Sequence, residues 1–142
     1  MAKNQLIFRT KKAVYLPIEN IKNQNLYYDT PVTIANFTPG TDGSVIKAIK
    51  FKVDFSAVYF LDKVVLQLTL TENGTTTVLH EEEVITLDFT RNLITEISTT
   101  VDDNNKPYLA LESGQVLTLK IIPTSTGYLK APSTGYIQAE NY

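Results

Sequence analysis

The chain has 142 residues, with 13 Lys and Arg against 15 Asp and Glu, and a formal net charge of −2. This length suits one domain that buries roughly two-thirds of its unfolded surface without cross-links. Cys is absent, which excludes disulfides, thiolate metal sites and Cys catalysis. The mild acidity argues against direct nucleic-acid binding, which usually requires a basic face. No apolar run reaches the ~20 residues that cross a bilayer, and no signal-peptide h-region follows the N-terminus, so we expect no membrane contact and no secretion.

Residues 1–30 are the least regular part of the chain and are rich in Asn, Gln and Lys. Short strands are predicted there at Leu6–Arg9 and Ala13–Ile18. Two interpretations stay open: an extended arm that lies on a neighbouring molecule, or the first strand of the domain followed by a long loop. Residues 31–142 are predicted to form a single β-sandwich domain.

The clearest strand signal runs from Val45 to Phe55. Apolar side chains alternate with polar ones, which is the period of a strand with one buried and one solvated face. The predicted buried face contains Val45, Ile49, Phe51, Val53 and Phe55. The lysines Lys47, Lys50 and Lys52 form either a local basic strip or, as is more common, an ordinary solvated strand face.

A β-hairpin is predicted at Asn73-Gly74. The run Val64–Thr71 alternates Val and Leu with Gln and Thr, and Thr76–Glu81 follows the Asn-Gly pair. Both turn residues tolerate positive φ, so Asn-Gly between alternating runs is the strongest short hairpin signal. These two strands should therefore pair antiparallel.

The remaining pattern consists of short strands separated by Gly, Pro, Asn and Asp turns, with almost no helical periodicity. Many short strands between turns are typical of a sandwich or barrel. We therefore predict an all-β fold, an antiparallel two-sheet β-sandwich of jelly-roll type. The other predicted strands are Val32–Phe37, Glu83–Asp88, Ile94–Val101, Tyr108–Leu111, Val116–Ile122 and Gly135–Glu140.

His80 is the only histidine in the chain and precedes Glu81-Glu82-Glu83. A Ser–His–Asp unit also needs a Ser in a strained turn, and no Gly-x-Ser-x-Gly motif occurs. Because alternation sends His80 and Glu81 to opposite strand faces, we interpret His80 as a solvated residue at a strand end.

The loop Asp102-Asp103-Asn104-Asn105 is rich in the oxygen ligands that calcium favours. It lacks EF-hand spacing, and the chain contains no phosphate-binding or dinucleotide motif. We therefore interpret the loop as a turn, and we expect no metal, no cofactor and no enzymatic activity. For the tyrosines we favour first a position in the sandwich core, second a position in a protein interface, and third a role in stacking on a ligand.

The order of several short pieces resembles a group of small virion proteins of tailed bacteriophages, generally encoded near the major capsid protein. The resemblance covers roughly residues 32 to 142. It rests on Gly43-Ser44-Val45-Ile46-Lys47-Ala48-Ile49, Val64-Val65-Leu66-Gln67-Leu68, Asn73-Gly74, Pro107-Tyr108-Leu109-Ala110-Leu111, Gly114-Gln115-Val116-Leu117 and the terminal Gly135-Tyr136-Ile137-Gln138-Ala139-Glu140-Asn141-Tyr142.

The resemblance implies an auxiliary capsid protein of the decoration or cement type, without an active site. It would bind the major capsid protein or other virion proteins, form a homo-trimer, and join the virion after synthesis in the bacterial host cytoplasm. We predict partner contacts in the N-terminal segment, the Thr38–Gly43 loop and the Tyr128–Thr134 loop. The residues concerned are Ile7, Phe8, Tyr15, Pro39, Asp42, Tyr128 and Leu129.

Two other functions are compatible with the same sequence. The first is a phage neck, tail or fibre-base component, which differs from a decoration protein by forming a large ring on its own. The second is a carbohydrate-binding β-sandwich, which requires exposed aromatic rings on one face.

Overall fold

The computed structural model of the chain describes residues 12–18, 24–54, 58–59, 64–84, 88–97, 100–124, 127–129 and 133–142. Within these ranges the protein is built almost entirely from β-strands. In chain order they are β1 (Lys12–Ile18), β2 (Gln24–Leu26), β3 (Val32–Phe37), β4 (Ser44–Asp54), β5 (Val58–Tyr59), β6 (Val64–Glu72), β7 (Thr75–Val84), β8 (Asp88–Asn92), the single helical turn α1 (Ile94–Ile97), β9 (Thr100–Val101), β10 (Pro107–Leu111), β11 (Gln115–Pro123), β12 (Gly127–Leu129) and β13 (Ser133–Asn141).

Two antiparallel sheets make up the sandwich. The six-stranded sheet has the order β1-β13-β4-β10-β9, and β8 pairs with the C-terminal half of β4. The four-stranded sheet has the order β3-β11-β6-β7. A small third sheet, β2-β12-β5, joins short segments from distant parts of the chain. The predicted all-β, two-sheet jelly-roll fold is confirmed.

The core lies between the two large sheets. Leu66, Leu68 and Leu117 face it from the four-stranded sheet, and Ile49 and Ile137 face it from the six-stranded sheet; each is at most 1% exposed. Every one of them follows the alternation predicted for its strand. Burying side chains of this size stabilises the fold by about 1.5–3 kcal/mol each.

A β-bulge in β4 changes the predicted buried face of that strand. Ala48 pairs with Gln138 and Ile46 pairs with Ala139, so Lys47 is an extra residue in the ladder. An extra residue reverses the side-chain alternation on one side of the bulge. Ile46 and Ile49 consequently enter the core, whereas Val45, predicted to share a face with Ile49, is buried at 4% exposure but lies outside the core cluster.

The predicted hairpin is confirmed. Asn73 and Gly74 have φ angles of 52° and 78°, and β6 pairs antiparallel with β7 from Glu72↔Thr75 onward. Both φ values lie in the left-handed region that Asn and Gly tolerate better than other residues.

The predicted strand Ile94–Val101 is wrong in its first half. Ile94–Ile97 is a helical turn in which Ile97 N–H donates to Leu93 O at 3.2 Å. Asn92 Oδ1 accepts hydrogen bonds from Ile94 N–H at 3.3 Å and from Ile49 N–H at 3.1 Å. Burial of Leu93 and Ile94 in the core outweighs the β propensity of this segment.

In the N-terminal part, Lys12–Ile18 forms the edge strand of the six-stranded sheet and pairs with β13 from Lys12↔Asn141 to Ile18↔Gly135. The strand predicted at Ala13–Ile18 is therefore present. The predicted strand Leu6–Arg9 lies outside the described residues, as do residues 85–87 of the predicted strand Glu83–Asp88.

Candidate assembly surface

The outer side of the six-stranded sheet carries a pair of stacked tyrosine rings. Tyr15 on β1 and Tyr136 on β13 have ring centroids 5.1 Å apart at an interplanar angle of 27°. Lys50 Nζ on β4 lies 5.9 Å from the Tyr136 centroid, within the range of a cation–π contact. Tyr15 is 64% exposed, so this aromatic surface is open to a partner.

Strand alternation explains why these side chains share one face. Leu16 and Ile18 of β1 point into the core, which sends Tyr15 and Pro17 outward. The register Pro17↔Tyr136↔Lys50 then aligns three strands across the sheet. We call this surface the tyrosine face and define it by Tyr15, Pro17, Lys50, Tyr136 and Gln138.

A shallow cleft of about 270 Å³ lies at another part of the same sheet, beside the turn between β9 and β10. Lys47 Nζ lies 3.8 Å from Asp102 Oδ2 and 5.5 Å from the centroid of the Tyr108 ring. The positive charge of Lys47 is thus paired with the Asp102 carboxylate of the same protomer. The cleft is lined by Val45, Lys47, Val101, Asp102, Asp103, Tyr108 and Tyr142.

Asp102 organises the turn for which the sequence raised the question of calcium. Its Oδ1 accepts hydrogen bonds from the backbone N–H groups of Asn104 and Lys106, each at 2.9 Å. The hydrogen bond from Lys106 is the main cause that lowers the pKa of Asp102 below its ordinary value of 3.8, and the nearby Lys47 charge adds to it. The Asp102 carboxylate therefore stabilises the turn between β9 and β10.

Replacing Asp102 with Asn should reduce stability at neutral pH, because the amide oxygen is a weaker acceptor than the carboxylate. The folded state lowers the pKa of Asp102, so this contribution is present above pH 3.8 and is lost as pH falls through the folded pKa. The unfolding curves of the two proteins should therefore differ at pH 6 and converge in strong acid. A difference that persists unchanged in strong acid contradicts this role.

Strand β7 is the acidic edge of the four-stranded sheet. Glu81 is exposed, and its Oε2 accepts a hydrogen bond from Gln67 Nε2 at 2.8 Å. Glu83 is also exposed, and Val78, on the same outward side of the strand, is 49% exposed. Among the described strands, β7 is the last in the order of the four-stranded sheet and pairs with β6.

His80 lies within β7 and not at the strand end where the sequence placed it, because β7 continues to Val84. Its Nε2 is 3.2 Å from Glu82 Oε2, and both side chains are only about one-fifth exposed. The two residues are i and i+2 on a strand and therefore share the inward side of β7. His80 is thus half-buried and paired with a carboxylate, which differs from the predicted solvated position.

The structure places the predicted partner contacts in separate regions. Tyr15 belongs to the tyrosine face, and Asp42 is exposed while Pro39 is buried in the loop before β4. Tyr128 and Leu129 lie in β12, four residues before β13 begins. The β3–β4 loop lies at one end of β4 and the start of β13 at the other, since Ser44 pairs with Asn141 and Val53 with Ser133. Ile7 and Phe8 lie outside the described residues.

Of the tyrosine face, only Tyr15 is among the predicted contacts; Pro17, Lys50, Tyr136 and Gln138 are not. The only signal available for Lys50 was the predicted basic strip on β4. Nothing local to Tyr136 indicates that Tyr15 lies beside it, because the two residues are far apart in sequence and meet only through pairing of β1 with β13.

In the part of the chain that the structure describes, no group of three or more His, Asp and Glu side chains is placed to hold a metal ion. No helix among the described residues is long and apolar enough to cross a membrane.

The strand order shows that the fold is an antiparallel two-sheet β-sandwich of jelly-roll type. Comparisons with solved structures find the same kind of fold. Eiger TNF from S. frugiperda matches with a TM-score of 0.50 at 11% identity, over 94% of each chain. Infectious bursal disease virus, Gt strain, matches with a TM-score of 0.51 at 10% identity, over 92% of this chain and 33% of the viral chain. The VP2 subviral particle of infectious bursal disease virus matches with a TM-score of 0.46 at 10% identity, over 93% and 33%.

This chain thus spans about a third of the length of the viral chains it resembles, and nearly all of the TNF chain. At these identities the likeness establishes a common fold. No protein-family model and no curated protein sequence matches the chain.

Proposed function

We propose that this chain is a structural component of a virus particle, an auxiliary capsid protein that binds the major capsid protein of a tailed bacteriophage. The observation that supports the proposal is its jelly-roll fold, which a chain in the structure of infectious bursal disease virus, Gt strain, shares over 92% of this chain. The assignment to a phage rests on the ordered sequence pieces, among them Gly43-Ser44-Val45, Asn73-Gly74 and Pro107-Tyr108-Leu109.

Under this proposal the protein acts through contact area and performs no chemistry. A decoration protein holds neighbouring shell subunits together, and a specific interface of standard size buries about 1,600 Å² in total. A rigid sandwich suits this task because its surface is ordered before binding, which reduces the entropy lost on association. The protein is made in the bacterial cytoplasm and becomes part of the virion.

We assign the shell contact to the end of the sandwich that carries β12. Tyr128 and Leu129 lie there, and β12 joins β2 and β5 into a sheet built from three separate parts of the chain. Tyrosine is enriched among the few residues that dominate binding energy at protein interfaces, so we expect Tyr128 to contribute more than Leu129.

The test is co-sedimentation of the full chain with heads assembled from the major capsid protein encoded beside its gene. Wild-type protein should sediment with heads stripped of decoration and remain in solution with fully decorated heads. The double substitution Tyr128→Ser and Leu129→Ser should weaken binding about 30-fold, the effect of losing an anchor worth about 2 kcal/mol.

Val101→Ser provides the matched control, because it removes an apolar side chain that is 51% exposed at a different surface. Binding by Val101→Ser should equal that of the wild type. A protein that does not bind heads and forms a large ring is instead a neck or tail component. A protein that ignores heads and binds a glycan array is the carbohydrate-binding module; either result overturns the proposal.

A further inference from the structure

Charge is distributed unequally between the two sheets. Strands β6 and β7 of the four-stranded sheet contain four acidic residues and no Lys or Arg. Strand β4, in the middle of the six-stranded sheet, contains three Lys and one Asp. The molecule therefore has an acidic edge, at β7, and a sheet whose central strand is basic.

The two charged regions cannot meet within one protomer. Side chains of β4 and β13 that point toward the four-stranded sheet, such as Ile49 and Ile137, are buried in the core. Lys50 and Tyr136 have the opposite parity and point away from that sheet. The tyrosine face is thus directed away from its own β7, and only another molecule can bring an acidic strand to it.

Among the five residues that define the tyrosine face, the charged one is Lys50. Lys47 is balanced by Asp102 at 3.8 Å within the protomer. Glu140, the acidic residue on the outward side of β13, is four residues from Tyr136, or about 13 Å along the strand. Lys50 is exposed, and its partner across the sheet is the Tyr136 ring.

The composition of the face is that of a protein interface. Tyrosine is enriched in interface centres because it buries a large rigid area and retains a hydroxyl for hydrogen bonding. The exposed Tyr15 pairs with Gln138, which pairs with the buried Ala48, so one row of the face combines a large side chain with a small one. The outward side of β7 offers Val78 for apolar contact and Glu81 for charge pairing.

We propose that the tyrosine face of one protomer binds the outward side of strand β7 of a second copy of this chain, with Lys50 facing Glu81. The contact is heterologous, so three copies can close into the homo-trimer that the resemblance to decoration proteins implies. A symmetric contact between two tyrosine faces would instead oppose two Lys-bearing β4 strands, and like charges across an interface reduce affinity.

This inference deepens the proposed function by naming the subunit contact of the structural component, and it is tested without capsids. Sedimentation velocity of the full chain over a concentration series should show an oligomer. Lys50→Glu and Glu81→Lys should each raise the dissociation constant at least tenfold, or about 1.4 kcal/mol, since each opposes like charges. A mixture of the two single variants should recover the oligomer, because each charge then has an opposite partner.

Matched controls separate this contact from general charge effects and from misfolding. Lys106→Glu reverses an exposed lysine in the β9–β10 turn, and Glu112→Lys reverses an exposed acid in the β10–β11 turn; both should leave the oligomer intact. Tyr15→Ser should weaken it, while Tyr27→Ser, at a tyrosine that is 56% exposed, should not. Circular dichroism establishes that each variant is folded.

The proposal is overturned by a wild-type protein that is monomeric at every concentration. It is also overturned if Lys50→Glu and Glu81→Lys do not change the dissociation constant, or if a mixture of these two folded variants stays monomeric. A monomer that still binds stripped heads contradicts only this contact, whereas an oligomer that ignores heads contradicts only the proposed function.

Discussion

Replacing Leu68 with Ala should lower the free energy of unfolding by about 3 kcal/mol, within the 2–5 kcal/mol typical of buried Leu-to-Ala changes. Leu68 lies in the middle of β6 and is 0% exposed. Its strand pairs with β11 on one side and β7 on the other, so the surrounding backbone is held in two ladders. The sheet cannot collapse into the vacated space, and the cavity cost adds to the lost transfer free energy.

Urea denaturation followed by circular dichroism measures this loss, since the chain has no Trp to report on unfolding. Val101→Ala is the control, because Val101 is 51% exposed and its truncation should change stability by less than about 0.5 kcal/mol. A loss at Leu68 as small as that at Val101 would contradict the packing of the core at this position.

Replacing Gly43 with Ala should cost about 3 kcal/mol, more than the same change at Gly114. The two glycines have nearly equal φ angles, +92° and +91°. An Ala in this left-handed region costs about 1–2 kcal/mol at either position. At Gly43, however, the added Cβ would lie 2.9 Å from Leu111 O, a backbone atom that cannot rotate away, whereas at Gly114 nothing lies within 4 Å.

Thermal unfolding of Gly43→Ala and Gly114→Ala isolates the clash, because the difference between the two variants removes the shared φ cost. Gly43 also accepts a hydrogen bond from Tyr142 N–H at 3.2 Å and donates one to Gly40 O at 2.9 Å. A shift of the backbone there would disturb both hydrogen bonds. Equal losses at the two positions would show that the β4–β10 pair relaxes around the methyl group without strain.

Turns and strands that depend only on residues close together in the sequence were predictable from it. The Asn73-Gly74 hairpin is one, because the left-handed φ values of the turn depend on those two residue types alone. The strands around Leu66–Leu68 and Leu117–Ile121 are others, because their alternation is complete within each segment. The helical turn at Ile94–Ile97 was not predictable, since it follows from burial of Leu93 and Ile94 and from capping by Asn92.

The candidate assembly surface was predictable only in part. Tyr15 was identified as a contact residue, but its stack with Tyr136 and the cation–π contact of Lys50 were not. These contacts require β1 to pair with β13 and β13 with β4 in one particular register. Local sequence patterns contain no information on which strand lies beside which, so the cluster could not be derived from them.

The sequence by itself determined that this is an all-β protein, that a hairpin turns at Asn73-Gly74 and which side chains of most strands are apolar. These properties depend on residues that are close together in the chain. Only the tertiary structure decided the order of strands in the two sheets, the bulge at Lys47 and the assembly of the tyrosine face. The physical reason is that strand pairing joins distant segments through backbone hydrogen bonds, which are nearly independent of side-chain identity. The choice among registers then follows from packing the whole core.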